Sequence, residues 1–174
     1  MKKPLLTLTI LLIGFSISSN SFCQTEQGAL DATEAYFTAK MCDDYETLLN
    51  LTLPDLIEQA GGRESMRATL SKIHNNQRSK GIILQDYKIK QEIKQAKTKL
   101  ETHVLIPIVT VSKVPGGTVT SESHLIAVGL EGNSKWHIVE TSSLNEYNIH
   151  KVIANWDNTI VLPYKKAPVF KEDK

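Results

Sequence analysis

Hydrophobic residues recur at helical spacing in the first half of this chain and at alternate positions in the second half. Residues 27–50 predict one long amphipathic helix, because their apolar positions follow the helical period of about 3.6 residues and form one stripe. These positions are Leu30, Phe37, Met41, Tyr45 and Leu48. Asp43-Asp44 is expected to loosen the middle of this helix.

Two shorter helices are predicted after the long one. Pro54 suits the first turn of a helix that ends at Gly61-Gly62, and a further helix then continues to Gly81. Near the end of the chain, Ile149, Val152, Ile153 and Trp156 also recur at helical spacing. Residues 165–174 form a polar tail that we expect to fray.

Residues 82–143 have the alternation of β-strands. Residues 87–94 predict a strand with one lysine-rich face, and residues 100–114 are apolar on both faces, as in a central strand. Turn signals at residues 115–117 and 131–134 predict antiparallel connections to strands over residues 119–130 and from Trp136 onward. Because the helices precede the strands, the chain predicts an α+β fold in which helices pack against an antiparallel sheet.

The first 23 residues have the pattern of an export signal, with Lys2 and Lys3 before an apolar run over residues 5–17. That run is too short to span a bilayer comfortably, so we expect cleavage and no stable membrane insertion. Ser21-Phe22-Cys23 fits the small-x-small cleavage pattern and predicts Gln24 as the mature N-terminus; lipidation of Cys23 is the alternative. The predicted product is periplasmic or secreted, with one domain over residues 24–164 and the tail over residues 165–174.

Net charge limits the kinds of partner that we expect, and cysteine content limits the disulfides. The 174-residue chain has a formal net charge of +1, which loss of Lys2 and Lys3 changes to −1. This balance gives no general attraction to nucleic acid, so none is expected as a partner. Cleavage after Cys23 leaves Cys42 alone, so the domain has no internal disulfide and depends on its core.

The turn at residues 115–117 brings His103 and His124 onto one face of a hairpin, because odd residues of the first strand lie beside even residues of the second. The register of the next hairpin is open. A loop of even length adds His137 to this face and gives a loose set of three histidines, whereas a loop of odd length places Trp136 and Glu140 there.

Each register implies different chemistry. Three histidines on one face need not converge on an ion, so neither a metal nor another cofactor is predicted. A carboxylate beside an imidazole and an indole can bind a ligand or transfer a proton. The candidate ligand-binding residues are His103, His124, Trp136 and Glu140, and the candidate catalytic pair is Glu140 with His124.

The helices and strands together resemble the NTF2-like superfamily, which includes SnoaL-like and ketosteroid-isomerase-like proteins. The segments that carry the resemblance are residues 35–37, 53–58, 61–64 and 132–136. The resemblance implies a cone-shaped α+β fold in which a curved antiparallel sheet wraps around the long helix and leaves a cavity. It leaves the activity open, because members of the superfamily use this cavity in different ways.

We therefore expect an exported, noncatalytic domain that binds a small apolar molecule or a protein partner on the concave face of its sheet. The alternative is a cofactor-independent enzyme of the isomerase or dehydratase type that uses Glu140 and His124. A cystatin-like inhibitor has a similar layout, but residues 24–28 and the hairpin at Pro115 lack the Gln-x-Val-x-Gly loop. Because residues 100–114 are apolar on both faces, a homodimer is expected to cover the second face.

Overall fold

The computed structural model describes residues 25–174, so the predicted export signal lies outside the described residues. Four helices come first, α1 (Glu26–Cys42), α2 (Tyr45–Asn50), α3 (Pro54–Gln59) and α4 (Arg63–Ser79). They are followed by six strands, β1 (Ile83–Ile89), β2 (Lys94–Lys97), β3 (Glu101–Val114), β4 (Gly117–Leu130), β5 (Trp136–Glu140) and β6 (Val169–Glu172). The predicted α+β class is confirmed. None of the helices in residues 25–174 has the length and hydrophobicity needed to cross a membrane.

The predicted long N-terminal helix is divided into α1 and α2. Asp43 ends α1 in the left-handed conformation, with φ 56°, and its backbone N–H donates to the carbonyl of Ala39. The carboxylate of Asp44 then accepts a hydrogen bond from the backbone N–H of Thr47 at 3.1 Å and caps α2. The prediction of one continuous helix was wrong because the two aspartates supply a C-cap and an N-cap in succession.

The sheet is curved, antiparallel and built around the two long strands β3 and β4. β1 and β2 both pair with β3, whereas β5 and β6 both pair with β4. The two-residue turn Pro115-Gly116, with Gly116 at φ 82°, joins β3 to β4 in the predicted register. The strand predicted over residues 87–94 is instead divided, because the chain leaves β1 after Ile89 and returns to β3 as β2 at Lys94.

Helix α1 covers one face of the sheet. The buried residues of this core are Ala29, Phe37, Val104, Ile106, Ile108, Leu125, Ala127, Trp136 and Ile138. Gly28 allows Trp136 to lie against α1, because a Cβ at residue 28 would be 2.6 Å from the indole Nε1. This contact fixes the start of β5 against the helix.

The C-terminal segment of the chain covers the other face. This second core contains Leu53, Leu105, Ile126, Val128, Val139, Leu144, Ile149, Ile153, Trp156 and Ile160. Within residues 141–168, helical structure is limited to the short 3-10 helix Ile149–Lys151, so the longer helix predicted there was wrong. The chain itself therefore covers the face that a second copy was expected to cover, and the homodimer stays a prediction.

The polar tail is paired with the sheet rather than frayed as predicted. β6 lies antiparallel to residues 117–120 of β4, and Lys166 of the preceding segment contacts Glu122 at 2.8 Å. Gly117 makes room for this pairing, since a Cβ there would lie 2.2 Å from the carbonyl oxygen of Lys171. A further ion pair joins Lys113 to Asp173.

Candidate functional site

A cleft of about 350 Å³ lies between the helices and the carboxyl end of β5. Its apolar lining consists of Leu48, Leu56, Leu70, Ile73, Ile138, Val139, Leu144 and Val152. Helix α4 packs against α2 and α3, and His74 is the buried residue of α4. The apolar side chains of α4 therefore remain partly accessible and form one wall of the cleft.

A carboxylate lies at the mouth of this cleft. Glu140 is the last residue of β5, and its Oε1 accepts hydrogen bonds from the Tyr36 hydroxyl and from the Lys40 ammonium group. Tyr36 and Lys40 are four residues apart on α1 and thus project from the same side of the helix. The Glu140 side chain is still 42% exposed, so it borders the cleft rather than the core.

These contacts set the protonation states of the cluster. Burial acts to raise the pKa of Glu140, but the charge of Lys40 and the two hydrogen bonds outweigh it and hold the pKa below its ordinary value. Burial, and secondly the adjacent carboxylate, raise the pKa of Tyr36 well above its ordinary value. At neutral pH the cluster thus contains a carboxylate, an ammonium group and a neutral phenol. A carboxylate stabilised by two donors is a weak base, which argues against proton abstraction by Glu140.

A buried histidine lines the same cleft from α4. His74 is 7% exposed, and its Nδ1 lies 2.9 Å from Oδ1 of Asp43, whose other oxygen forms an ion pair with Arg78. Because a carboxylate only accepts hydrogen bonds, Nδ1 of His74 is the donor in this contact. The cleft therefore has an imidazole on one side and a carboxylate on another.

The structure does not bring the four predicted site residues together. The last paired residues of β4 and β5 are Gly129 and Trp136, so six residues, 130–135, connect this pair and the even-length alternative is the observed one. Trp136 and Glu140 face α1, whereas His103 and His124 lie on the opposite face of the sheet. The candidate catalytic pair of Glu140 with His124 required the other register, so in this structure the two side chains lie on opposite faces of the sheet.

The three histidines on the opposite face also lie apart. His103 is fully buried, with Nε2 2.8 Å from Oε2 of Glu101 and its ring centroid 5.2 Å from that of Trp156. His124 lies opposite Pro107, four residues along β3 from His103, which corresponds to about 13 Å. His137 is instead held by the carbonyl oxygen of Thr52, 3.0 Å from its Nδ1. Within residues 25–174, no group of three or more His, Cys, Asp or Glu side chains is placed to hold a metal ion.

A larger groove of about 680 Å³ is lined by residues of the segment 144–165. Its walls come from this irregular segment, and Tyr147 and Tyr164 are 84% and 100% exposed. The charged residues that line it, Glu146 and Lys165, are also exposed. The smaller cleft is the stronger candidate, because apolar walls and convergent polar groups characterise ligand sites.

Sequence reasoning identified Glu140 but missed Lys40, Asp43 and His74. Lys40 and Asp43 come from α1 and its cap, about a hundred residues before Glu140, so no local pattern connects them. His74 had a weak signal, since it follows Leu70 by one helical turn and is thus a polar residue on the apolar stripe of α4. Comparison of the chain with protein-family models and with curated proteins found no match.

Proposed function

We propose that this protein is an exported, noncatalytic domain of NTF2-like fold that binds a small, largely apolar molecule in the cleft between its helices and the end of β5. One observation carries the proposal: apolar side chains from three helices, β5 and the C-terminal segment enclose about 350 Å³ and end at the Glu140 cluster. A volume of this size suits a small molecule rather than a protein segment with many contacts.

The NTF2-like assignment is supported by the layout. A long helix, α1, lies on one face of a curved antiparallel sheet, shorter helices follow it, and the cleft lies beside the helices. Export is supported by the pattern of residues 1–23 alone. Neither point specifies the ligand, so the proposal of binding depends on the lining of the cleft.

Binding is favoured over catalysis by the contacts of Glu140. An acid or base needs a pKa near the working pH, but Lys40 and Tyr36 hold this carboxylate in its ionised form. The isomerase or dehydratase alternative also loses its second group, because His124 lies on the other face of the sheet.

Native mass spectrometry of the mature protein, recovered gently from the exported fraction, tests this proposal. We expect a reproducible extra mass of small-molecule size that disappears on denaturation. A clean protein mass, or a retained protein instead of a small molecule, would contradict the proposal. A lipid on Cys23 would separately contradict the predicted cleavage site.

A matched pair of substitutions locates the ligand. Leu70→Trp adds an indole to the wall of the cleft and should remove the extra mass. Leu100→Trp makes the same chemical change at a residue that is 60% exposed and outside the cleft, so the extra mass should remain. Circular dichroism should show that both variants are folded. Retention of the ligand by folded Leu70→Trp would place the binding site elsewhere.

A further inference from the structure

We infer that the ligand of the cleft is an uncharged molecule with an apolar body and a hydroxyl group that donates a hydrogen bond to Oε2 of Glu140. This inference rests on the proposed function, because it specifies the chemical class of molecule that the same cleft binds. It follows from which polar atoms around the cleft are already paired and which are not.

The carboxylate of Glu140 has one oxygen available. Among residues 25–174, the hydrogen bonds to this side chain come from Tyr36 and Lys40, and both end on Oε1. Within this described part of the chain, Oε2 is therefore the acceptor without a partner, on a side chain that lines the cleft and is 42% exposed. An ionised carboxylate only accepts hydrogen bonds, so the complementary ligand group is a donor.

Most other polar groups of the cleft are already paired. Lys40, which also lines the cleft, gives one of its three N–H donors to Glu140, so a ligand hydroxyl can accept from Lys40 while it donates to Oε2. The Thr52 hydroxyl donates to the carbonyl of Leu48 at 2.8 Å, and the Tyr36 hydroxyl donates to Glu140. The Nδ1 atom of His74 is already paired with Asp43. The remaining polar lining residues, Gln77 and Ser143, are exposed and bind water as readily as a ligand.

Charge balance favours an uncharged donor. A ligand cation at Oε2 would lie beside the ammonium group of Lys40, which already neutralises Glu140. A ligand anion would meet the carboxylate itself. Asp43, the other acidic group nearby, is balanced by Arg78. Because like charges repel strongly in a partly desolvated site, a hydroxyl is preferred to an ammonium or a carboxylate group.

A head-group series on one apolar chain tests this inference. The probes are 1-octanol, methyl octyl ether, octanoate and octylammonium, titrated separately into the mature wild-type protein at neutral pH with calorimetry or NMR shifts as the readout. Octanol should bind about tenfold more tightly than the ether, since only octanol can donate to a charged acceptor. Octanoate and octylammonium should both bind more weakly than octanol.

Glu140→Gln provides the sharper comparison. The amide oxygen should accept the hydrogen bonds of Tyr36 and Lys40, so the amide NH₂ would replace Oε2 at the cleft. The ether, an acceptor, should then bind at least as tightly as octanol. Glu34→Gln, at an exposed position of α1, is the matched control and should keep the wild-type preference.

The outcomes separate this inference from the proposed function. Equal binding of octanol and ether, tighter binding of octanoate, or an unchanged octanol preference in folded Glu140→Gln would overturn the inference and leave apolar binding intact. Failure of all four probes to bind the wild-type protein would overturn the proposed function and the inference with it.

Discussion

Replacing Gly117 with alanine should detach β6 without unfolding the domain. The added Cβ would lie 2.2 Å from the carbonyl oxygen of Lys171 and 2.7 Å from the nearest atom of the Phe170 ring. The nearest atom belongs to the backbone, so rotation of a side chain does not relieve the clash. β6 must move away by roughly an ångström, which is enough to break hydrogen bonds whose donor-to-acceptor distances are about 3 Å.

The effect on global stability should be small. All four residues of β6 are exposed, so their pairing buries little apolar surface. Each hydrogen bond contributes about 0.5–1.5 kcal/mol, whereas ordering each residue costs about 1–2 kcal/mol. These contributions nearly cancel, and we expect the free energy of unfolding to fall by less than about 1 kcal/mol. Hydrogen exchange should show the change directly, as loss of amide protection over residues 169–172.

A chain ending at Pro168 is the control. Gly117 is not among the glycines with positive φ, so alanine fits its backbone once β6 is absent. In the shortened chain Gly117→Ala should be neutral or slightly stabilising, because alanine restricts the unfolded state. Retained protection of β6 in the full-length variant, or equal destabilisation in both chains, would refute the reasoning.

Three further changes test the site and the cores. Lys40→Met should raise the pKa of Glu140, because the ammonium charge that stabilises the carboxylate is removed; an unchanged carboxyl titration by NMR would contradict this. Burial lowers the pKa of His137 in the folded protein. As the pH falls, this imidazole is therefore protonated in the unfolded chain before it is protonated in the folded one. The free energy of unfolding should consequently fall as the pH drops below about 6.5. In urea denaturation, the free energy of unfolding of His137→Gln should fall less steeply with decreasing pH than that of the wild-type protein. Identical pH dependence in the two proteins would exclude His137 as the cause. Gly28→Ala should destabilise the protein by about 1–3 kcal/mol, because its Cβ would lie 2.6 Å from Nε1 of the buried Trp136; unaltered urea unfolding would contradict that packing.

The sequence predicted those parts of the fold that local chemistry determines. Pro115-Gly116 fixed a two-residue turn because proline and a glycine with positive φ suit its two central positions, and that turn determined the pairing of β3 with β4. The apolar character of both faces of residues 100–114 correctly indicated a central strand. The sequence indicated that Asp43 and Asp44 disfavour the middle of the predicted helix. Their identity alone did not predict that one helix ends and another begins there, because this depends on the backbone conformations of the two residues.

The candidate site was less predictable because its contacts join distant segments. Glu140 was found from the strand pattern, yet its face depended on the length of the turn at residues 130–135, which composition does not determine. Its partners Tyr36 and Lys40 come from the opposite end of the domain. The sequence also did not predict that residues 144–160 cover the second face of the sheet. That segment has little regular structure, so its apolar residues follow no clear period.

The position of residues 144–160 at the end of the domain has a consequence for folding during synthesis. Leu105, Ile126 and Val128 are synthesised before the residues that bury them, because Leu144, Ile153 and Trp156 come later in the chain. A nascent chain that has completed only the β3–β4 hairpin therefore presents an apolar sheet surface to its surroundings. Such surfaces promote aggregation of partly folded chains, so an early stop between residues 130 and 144 should yield a chaperone-dependent fragment rather than a shorter functional domain.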